Sequence, residues 1–294
     1  MSALQKPISE PEADAAGAAL SRYFGFSGLR PGQAEAIDAL LGGRSVLAVM
    51  PTGAGKSLCY QLPALVLGGL TIVVSPLVAL MRDQVAALRL NGIAAATINS
   101  DIDRATNIDT WRAVQAGDIR LLYLSPERLM SGRMLQALSS LDVRLIAIDE
   151  AHCISQWGPA FRPEYEALAG LRNHFPGVPI IGLTATADPA TRADILAKIF
   201  DDDALAIVTG FDRPNLSIAV TLKNSWKKQV SAFVGARRGD AGIVYCLSRR
   251  KTEEVAAMLR EDGHDALAFH AGMDSAEKEA VQNRFMSEPG IVIV

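Results

Sequence analysis

Short runs of branched apolar residues, separated by stretches of helical periodicity, are the feature that most restricts how this chain can fold. Val46 to Met50, Thr71 to Ser75, Ala94 to Ile98, Arg120 to Leu124, Leu145 to Asp149 and Ile180 to Thr184 all have strand length. Their near-continuous apolar character is that of strands buried on both faces. Between them Gln33 to Leu41, Leu77 to Leu90 and Ala190 to Phe200 carry apolar residues at helical spacing, the last behind Asp188-Pro189 as cap and first-turn proline. The alternation predicts βαβ units, hence an α/β fold with a parallel sheet covered by helices on both faces.

The same alternation decides an ambiguous stretch. No charged residue occurs from Ser57 to Met81, which by hydropathy alone resembles a membrane span. Pro63, Gly68-Gly69 and Pro76 would interrupt a single helix, and Thr71-Ile-Val-Val74 has the β-branched content of a buried strand. The reading is helix, turn, strand, turn, helix, with no membrane segment. Residues 1–16 carry Lys6, Glu10, Glu12, Asp14 and two prolines (Pro7, Pro11) without an apolar core, which is not a signal peptide. After Asp201-Asp-Asp203 the strand pattern restarts at Ile218 to Leu222, Gly242 to Cys246, Ala266 to Phe269 and Ile291 to Val294. A domain boundary is expected near residues 205–215.

Composition narrows the function. The 294 residues are 49% hydrophobic and 21% charged, ordinary for a globular chain of about two domains. A net charge of −3 excludes a surface that binds nucleic acid indiscriminately, so any such contact must be local. Basic residues of the second part cluster at 223–228, 237–238 and 249–251, a pattern that most often means a solvated face. Cys59, Cys153 and Cys246 form no C-x-x-C pair and the four histidines show no ligand spacing. No zinc site or disulfide frame is expected, and the usage suits a reducing, cytoplasmic compartment.

Two motifs carry chemistry. Met50-Pro-Thr-Gly-Ala-Gly-Lys-Ser57 follows a strand and leads into an apolar helix. Gly53 and Gly55 let the backbone curl so that the N–H groups of Thr52 to Ser57 face inward, the helix adds its positive end, and Lys56 adds a full charge. This is a phosphate cradle, with the Ser57 hydroxyl placed to ligate Mg²⁺ as in G-x-x-x-x-G-K-[ST], although Met50 stands where the strict pattern has glycine. Further on, the strand Leu145-Ile-Ala-Ile148 ends in Asp149-Glu150-Ala151-His152. A carboxylate at a strand tip beside such a loop suits the metal, and its neighbour can polarise the attacking water. Asp149 is assigned to the metal and Glu150 to the water.

Asp-Glu-Ala-His, the phosphate loop and Leu183-Thr-Ala-Thr-Ala187 resemble motifs of superfamily 2 helicases. Phe24-Gly-Phe-x-x-Leu-Arg-Pro-Gly-Gln33, Val74-Ser-Pro-Leu-x-x-Leu-Met-x-Asp-Gln84 and Asp149 to Tyr165 resemble the RecQ family of DNA helicases more closely, from about residue 20 to the last residue. The resemblance implies two RecA-like P-loop domains, assigned as 19–208 for ATP binding and 209–294 for part of the second, after an N-terminal extension 1–18. It implies adenine contacts from Phe26, Arg30 and Gln33, which from the residues alone read as a turn and helix cap. It also implies ATP with Mg²⁺, DNA partners including single strands and duplex junctions, 3′–5′ translocation, and a role in repair and recombination. It names no protein partner.

Trp157, Phe161 and Arg162, directly after the carboxylates, are stacking and phosphate-binding chemistry, or else core packing. The resemblance favours a loop that couples single-stranded DNA to hydrolysis, although Pro159-Ala160 stand where the family commonly has His-Asp. Thr184 and Thr186 could bridge the carboxylates and the DNA side, or merely satisfy a strand-end turn. Ser75, Asn99-Ser100 and Ser125-Pro126 at strand ends could share a rim with a phosphate backbone. Ser248 and Arg249, with His270-Ala-Gly-Met273 nearby, resemble segments of the second helicase domain. Ile291 to Val294 reads as the start of a buried strand, so the second domain is expected to be incomplete. In the family the arginines that reach the γ-phosphate lie further on, so nucleotide and weak DNA binding with little turnover is expected of these residues. Two rivals stand beside this reading. A GTPase-type switch would need Asn-Lys-x-Asp, which is not found, and a non-catalytic DNA-binding scaffold with a vestigial nucleotide site remains.

Overall fold

The computed structural model describes residues 10–155, 162–210 and 216–294. The chain divides into two compact units, Met1–Arg213 and Pro214–Val294.

The first unit is built on seven strands: β1 (Val46–Val49), β2 (Leu70–Val74), β3 (Ala95–Thr97), β4 (Leu121–Leu124), β5 (Val143–Ile148), β6 (Ile180–Thr184) and β7 (Leu205–Val208). They pair in the order β3-β4-β2-β5-β6-β1-β7. All of these pairings are parallel. Because side chains alternate along a strand, Val46, Ala48, Val73, Leu145 and Ala147 enter one apolar cluster. Leu47, Val49, Val74, Ile146 and Ile148 enter another on the opposite face. Burial on both sides explains the uninterrupted apolar runs in the sequence.

The helices follow as α1 (Glu10–Ala19), α2 (Gln33–Leu41), α3 (Leu58–Leu67), α4 (Val78–Leu90) and α5 (Arg104–Gln115), then the short α6 (Pro126–Leu129), α7 (Gly132–Ser139), α8 (Pro163–Glu166) and α9 (Leu171–His174), and α10 (Pro189–Phe200). The Asp188 carboxylate accepts the Thr191 N–H at 2.7 Å and so caps α10, with Pro189 in its first turn.

Four expectations are corrected. Pro63 lies inside α3 without ending it; Gly68 does so. Proline removes one ladder hydrogen bond, and the burial of Leu58 to Ala64 against the sheet and neighbouring helices outweighs that loss. Leu205–Val208, inside the first domain as bounded at 208 but not read as a strand, is an edge strand paired with β1. Residues up to 18 contain most of α1, whose Ala16 and Ala19 pack with Leu58 and Leu62 of α3 rather than forming a separate extension. Alanine-rich packing has no strong periodic signal, so composition alone missed it. Ile218 to Leu222 is not a strand: Ile218, Val220 and Leu222 are about nine-tenths exposed, because an alternating pattern supplies no partner ladder by itself.

In the second unit three two-residue strands, β8 (Gly242–Ile243), β9 (Ala266–Leu267) and β10 (Val292–Ile293), pair in parallel in the order β8-β10-β9. The helices are α11 (Trp226–Gly235), α12 (Arg249–Glu261) and α13 (Ser275–Ser287). Val234, Val255, Leu259, Ala266, Val292 and Val294 form its core. Among the described residues, no helix is long and apolar enough to cross a membrane.

Candidate nucleotide-binding site

Parallel strands deliver their carboxyl ends to one edge, and in an open α/β sheet ligands bind in the crevice outside that edge. The glycine loop follows β1 and Asp149 follows β5, with only β6 between them. At about 4.8 Å per strand the two loops start about 10 Å apart. They sense each other: the Lys56 charge lowers the proton affinity of both Asp149 and Glu150.

The loop curls where glycine permits. Gly53 and Gly55 have φ of +84° and +80°, and a Cβ on Gly55 would meet the Gln33 Nε2 at 2.6 Å. Gln33 is buried, and its amide is fully engaged. Its Oε1 accepts the Arg30 N–H at 2.8 Å, and its Nε2 donates to the carbonyls of Ala54 at 2.9 Å and Gly55 at 3.1 Å. The Arg30 guanidinium donates to the Gly53 carbonyl at 2.6 Å. Two of the three residues preceding the loop therefore brace it directly, while Phe26 stands exposed. Lys56 Nζ donates to the carbonyls of Met50 at 3.2 Å and Pro51 at 3.5 Å. Thr52 lies in the turn, and Ser57 stands at the head of α3 without a side-chain capping bond.

Burial comes first and the neighbouring Glu150 charge second in pushing Asp149 up to about 6. One Asp149 oxygen accepts the Glu150 N–H at 3.0 Å, and the Tyr165 hydroxyl donates to the Asp149 carbonyl at 3.0 Å. A half-buried carboxylate at one strand end and a serine hydroxyl at the head of α3, two strands away on the same sheet edge, are oxygen donors of the kind a hard divalent cation takes. Glu150 has φ of +50°, a left-handed conformation that costs a non-glycine residue about 1–3 kcal/mol and recurs at functional sites. Its bond to His152, Nδ1 to Oε2 at 3.2 Å, holds the Glu150 carboxyl below its usual range. Contact with the Cys153 sulfur and this bond to Glu150 raise His152 to about 9.

His152 is a hub that sequence reasoning quoted without a role. Its Nδ1 also lies 2.9 Å from the Thr184 hydroxyl, which donates to the Thr186 carbonyl at 3.0 Å and accepts the Thr186 N–H at 3.2 Å. The carboxylate strand tip and the end of β6 are thus joined through one imidazole. Thr184 is fully buried, so only the segment beyond it can face a ligand. Ser75 is a correction: it is 2% exposed and its hydroxyl has no partner, so it faces inward and not toward a shared rim. Asn99 is likewise buried, and Ser125 caps α6 by accepting the Arg128 N–H. Arg162 is exposed and donates to the Pro76 carbonyl at 3.2 Å. Trp157 and Phe161, with Pro159-Ala160, lie outside the described residues. In the second unit Ser248 caps α12 by accepting the Lys251 N–H at 3.3 Å, and His270 Nε2 meets Glu253 Oε1 at 2.9 Å.

A phosphate loop and an acidic strand tip on one parallel sheet define a P-loop nucleotide-binding protein, and the comparisons sharpen that class. The DEAD/DEAH box helicase profile matches residues 30–195, and the chain belongs to this family. Within it the chain is similar to RecQ helicases. It is 46% identical over 291 residues to the ATP-dependent DNA helicase RecQ of Haemophilus influenzae, covering 99% of this chain and 46% of that one. It is 39% identical over 277 residues to the RecQ of Bacillus subtilis, covering 94% and 47%. The chain thus spans less than half the length of these relatives. Among solved structures, the DUF1998 helicase MrfA bound to DNA superposes with a TM-score of 0.73 at 18% identity, covering 98% of this chain and 45% of that one. Dbp5 of S. cerevisiae bound to RNA and ADP BeF3 gives 0.65 at 14%, covering 97% and 73%. These share the RecA-like fold.

Proposed function

We propose that this chain acts as a RecQ-type ATP-dependent DNA helicase moving 3′ to 5′, with residues 19–208 as its ATP-binding domain and 209–294 belonging to the second helicase domain. The observation that carries the reading is the convergence of Lys56 with Asp149 and Glu150 at one edge of one sheet, close enough for their charges to interact. The inward N–H groups of residues 52–57 cradle the phosphates of ATP, and Lys56 reaches the terminal ones. Arg30 and Gln33, already fastened to the loop, meet the base with Phe26. Ser57 and Asp149 hold Mg²⁺, which when bound neutralises charge on the phosphate oxygens. Glu150 orients the attacking water, and its ion pair with His152 keeps it ionised at neutral pH.

On the DNA side, Trp157 and Phe161 stack on bases, Arg162 meets a phosphate, and Thr184 with Thr186 ties this edge to the carboxylates through His152. Single-stranded DNA and duplex junctions are the partners, in cytoplasmic repair and recombination. The test is binding of a fluorescent ATP analogue, and ATP hydrolysis with and without single-stranded DNA, by the wild type and Lys56→Ala. Lys56 is partly exposed and, among the described residues, its hydrogen bonds go to loop carbonyls, so its loss should change stability by no more than about 1 kcal/mol. Loss of nucleotide binding with an unchanged melting temperature is expected; unchanged affinity overturns the cradle. Displacement from a duplex with a 3′ overhang and not a 5′ overhang checks polarity.

A further inference from the structure

One peptide unit joins the two candidate carboxylates, Asp149 and Glu150, and it is held in a strained orientation. Glu150 keeps φ of +50°, which a non-glycine residue holds only where its surroundings over-determine it. The peptide is planar, so its carbonyl and its N–H turn together, and a rotation changes the ψ of Asp149 and the φ of Glu150 at once. Both ends of this plane are bonded. Its N–H donates to the Asp149 carboxylate at 3.0 Å, and its carbonyl accepts the Tyr165 hydroxyl at 3.0 Å.

The tyrosine is itself fixed. Tyr165 is 0% exposed and packs in the cluster that contains Ile148, Cys153, Ile154 and Leu168, so its ring has little room to turn. Its helix α8 is tied to the same segment, because the N–H of Arg162 donates to the Cys153 carbonyl at 2.8 Å and the Cys153 N–H donates to the Glu150 carbonyl at 2.9 Å. From α10, Lys198 Nζ donates to the Ile154 carbonyl at 3.2 Å. Phenylalanine at 165 would fill the same space without burying a hydroxyl, which is tolerable only when partnered. Here the partner is the main chain between the two carboxylates. A turn of that plane carries the Glu150 N–H away from the carboxylate oxygen it holds, and an outer hydrogen bond of this kind is what orients a metal-ligating group.

We propose that Tyr165 is a positioning residue for metal–nucleotide binding. Its hydroxyl pins the Asp149–Glu150 peptide plane, which keeps Glu150 left-handed and fixes the Asp149 carboxylate through the Glu150 N–H. This rests on the assignment of Asp149 to the metal. The experiment measures the affinity of a fluorescent ATP analogue in excess Mg²⁺ and in EDTA, together with thermal unfolding, for the wild type, Asp149→Asn, Tyr165→Phe and Leu168→Val, the last a loss of packing in the same cluster that leaves the carbonyl bond in place. Asp149→Asn should remove most of the Mg²⁺-dependent gain in affinity. Tyr165→Phe should cut that gain about fivefold, the worth of one ordinary hydrogen bond, with the affinity in EDTA unchanged. Leu168→Val should lower the melting temperature and keep the full gain. An equal loss of gain in Leu168→Val makes Tyr165 merely structural and overturns the proposal, and so does a loss in Tyr165→Phe that is as large in EDTA as in Mg²⁺. A full gain in Tyr165→Phe, with the gain lost in Asp149→Asn, overturns it while the reading of Asp149 stands. A full gain in Asp149→Asn, or none in the wild type, overturns both.

Discussion

Val46-Leu-Ala-Val49 of β1 and Ile243-Val-Tyr-Cys246 at β8 are similar apolar strings, yet their surroundings differ. Every residue of β1 is fully buried, because it runs between β6 and β7 with apolar clusters on both faces. At β8, Val244 and Cys246 pack against the core of the second unit, while Ile243 is 53% and Tyr245 92% exposed. A parallel sheet is stable when both faces are covered. The first unit meets that condition within its own described residues; the second covers one face of a sheet of two-residue strands. The proposed site sits where the cover is complete. Low polarity around Asp149 follows from that cover, and low polarity is what makes its charge available to a cation.

Separating the units gives the largest effect expected of this contrast. Residues 1–213 expressed alone should unfold in one sharp thermal transition and retain affinity for a fluorescent ATP analogue, whereas 214–294 alone should bind a hydrophobic dye and melt without a sharp transition. A sharply melting second piece would break the comparison.

Next comes a charge test. Asp149 has its folded value raised from 3.8 to about 6, chiefly by burial. A raised carboxyl means that the folded state binds the extra proton, so ionisation costs stability, fully above about 6 and not at all below 3.8. Wild-type stability therefore gains as pH falls through that window. Asp149→Asn should raise stability at neutral pH by up to about 3 kcal/mol, an advantage that vanishes in acid, while hydrolysis is lost. In the second unit the Glu254 carboxyl is held down to about 2 by Lys227 and Lys251 on an exposed surface. Glu254→Gln should leave unfolding nearly unchanged, as measured by thermal melts across pH.

The smallest effect concerns apolar side chains themselves. Leu247→Ser removes a side chain already fully exposed and should shift stability by under about 0.5 kcal/mol. Leu122→Ala in the buried β4 should cost about 2–5 kcal/mol. Comparable costs in chemical denaturation would mean that the exposed face is covered in solution.

The loop at 50–57 and the strand ending at Asp149 were legible because phosphate and metal chemistry demand particular residue types in adjacent positions. The bracing of that loop was not: Gln33 bonds carbonyls some twenty positions away, and nothing in its local spacing announces them. His152 was visible as a letter of a motif, but its bond to Thr184 depends on β5 and β6 being neighbours. Ser75 looked like a surface residue because strand ends usually surface, and burial at the sheet edge reversed that.

By itself the sequence determined six of the seven strands of the first unit and the helices between them that carry clear periodicity, and it marked the segments whose residue types suit phosphate chemistry, since periodicity and turn chemistry act over a few neighbouring residues. Only the tertiary structure decided the strand order, the incorporation of Leu205–Val208, and the pairing of Tyr60 with Tyr123. These depend on contacts between residues far apart in the chain, and such contacts are selected by the packing of whole faces, which no local pattern encodes.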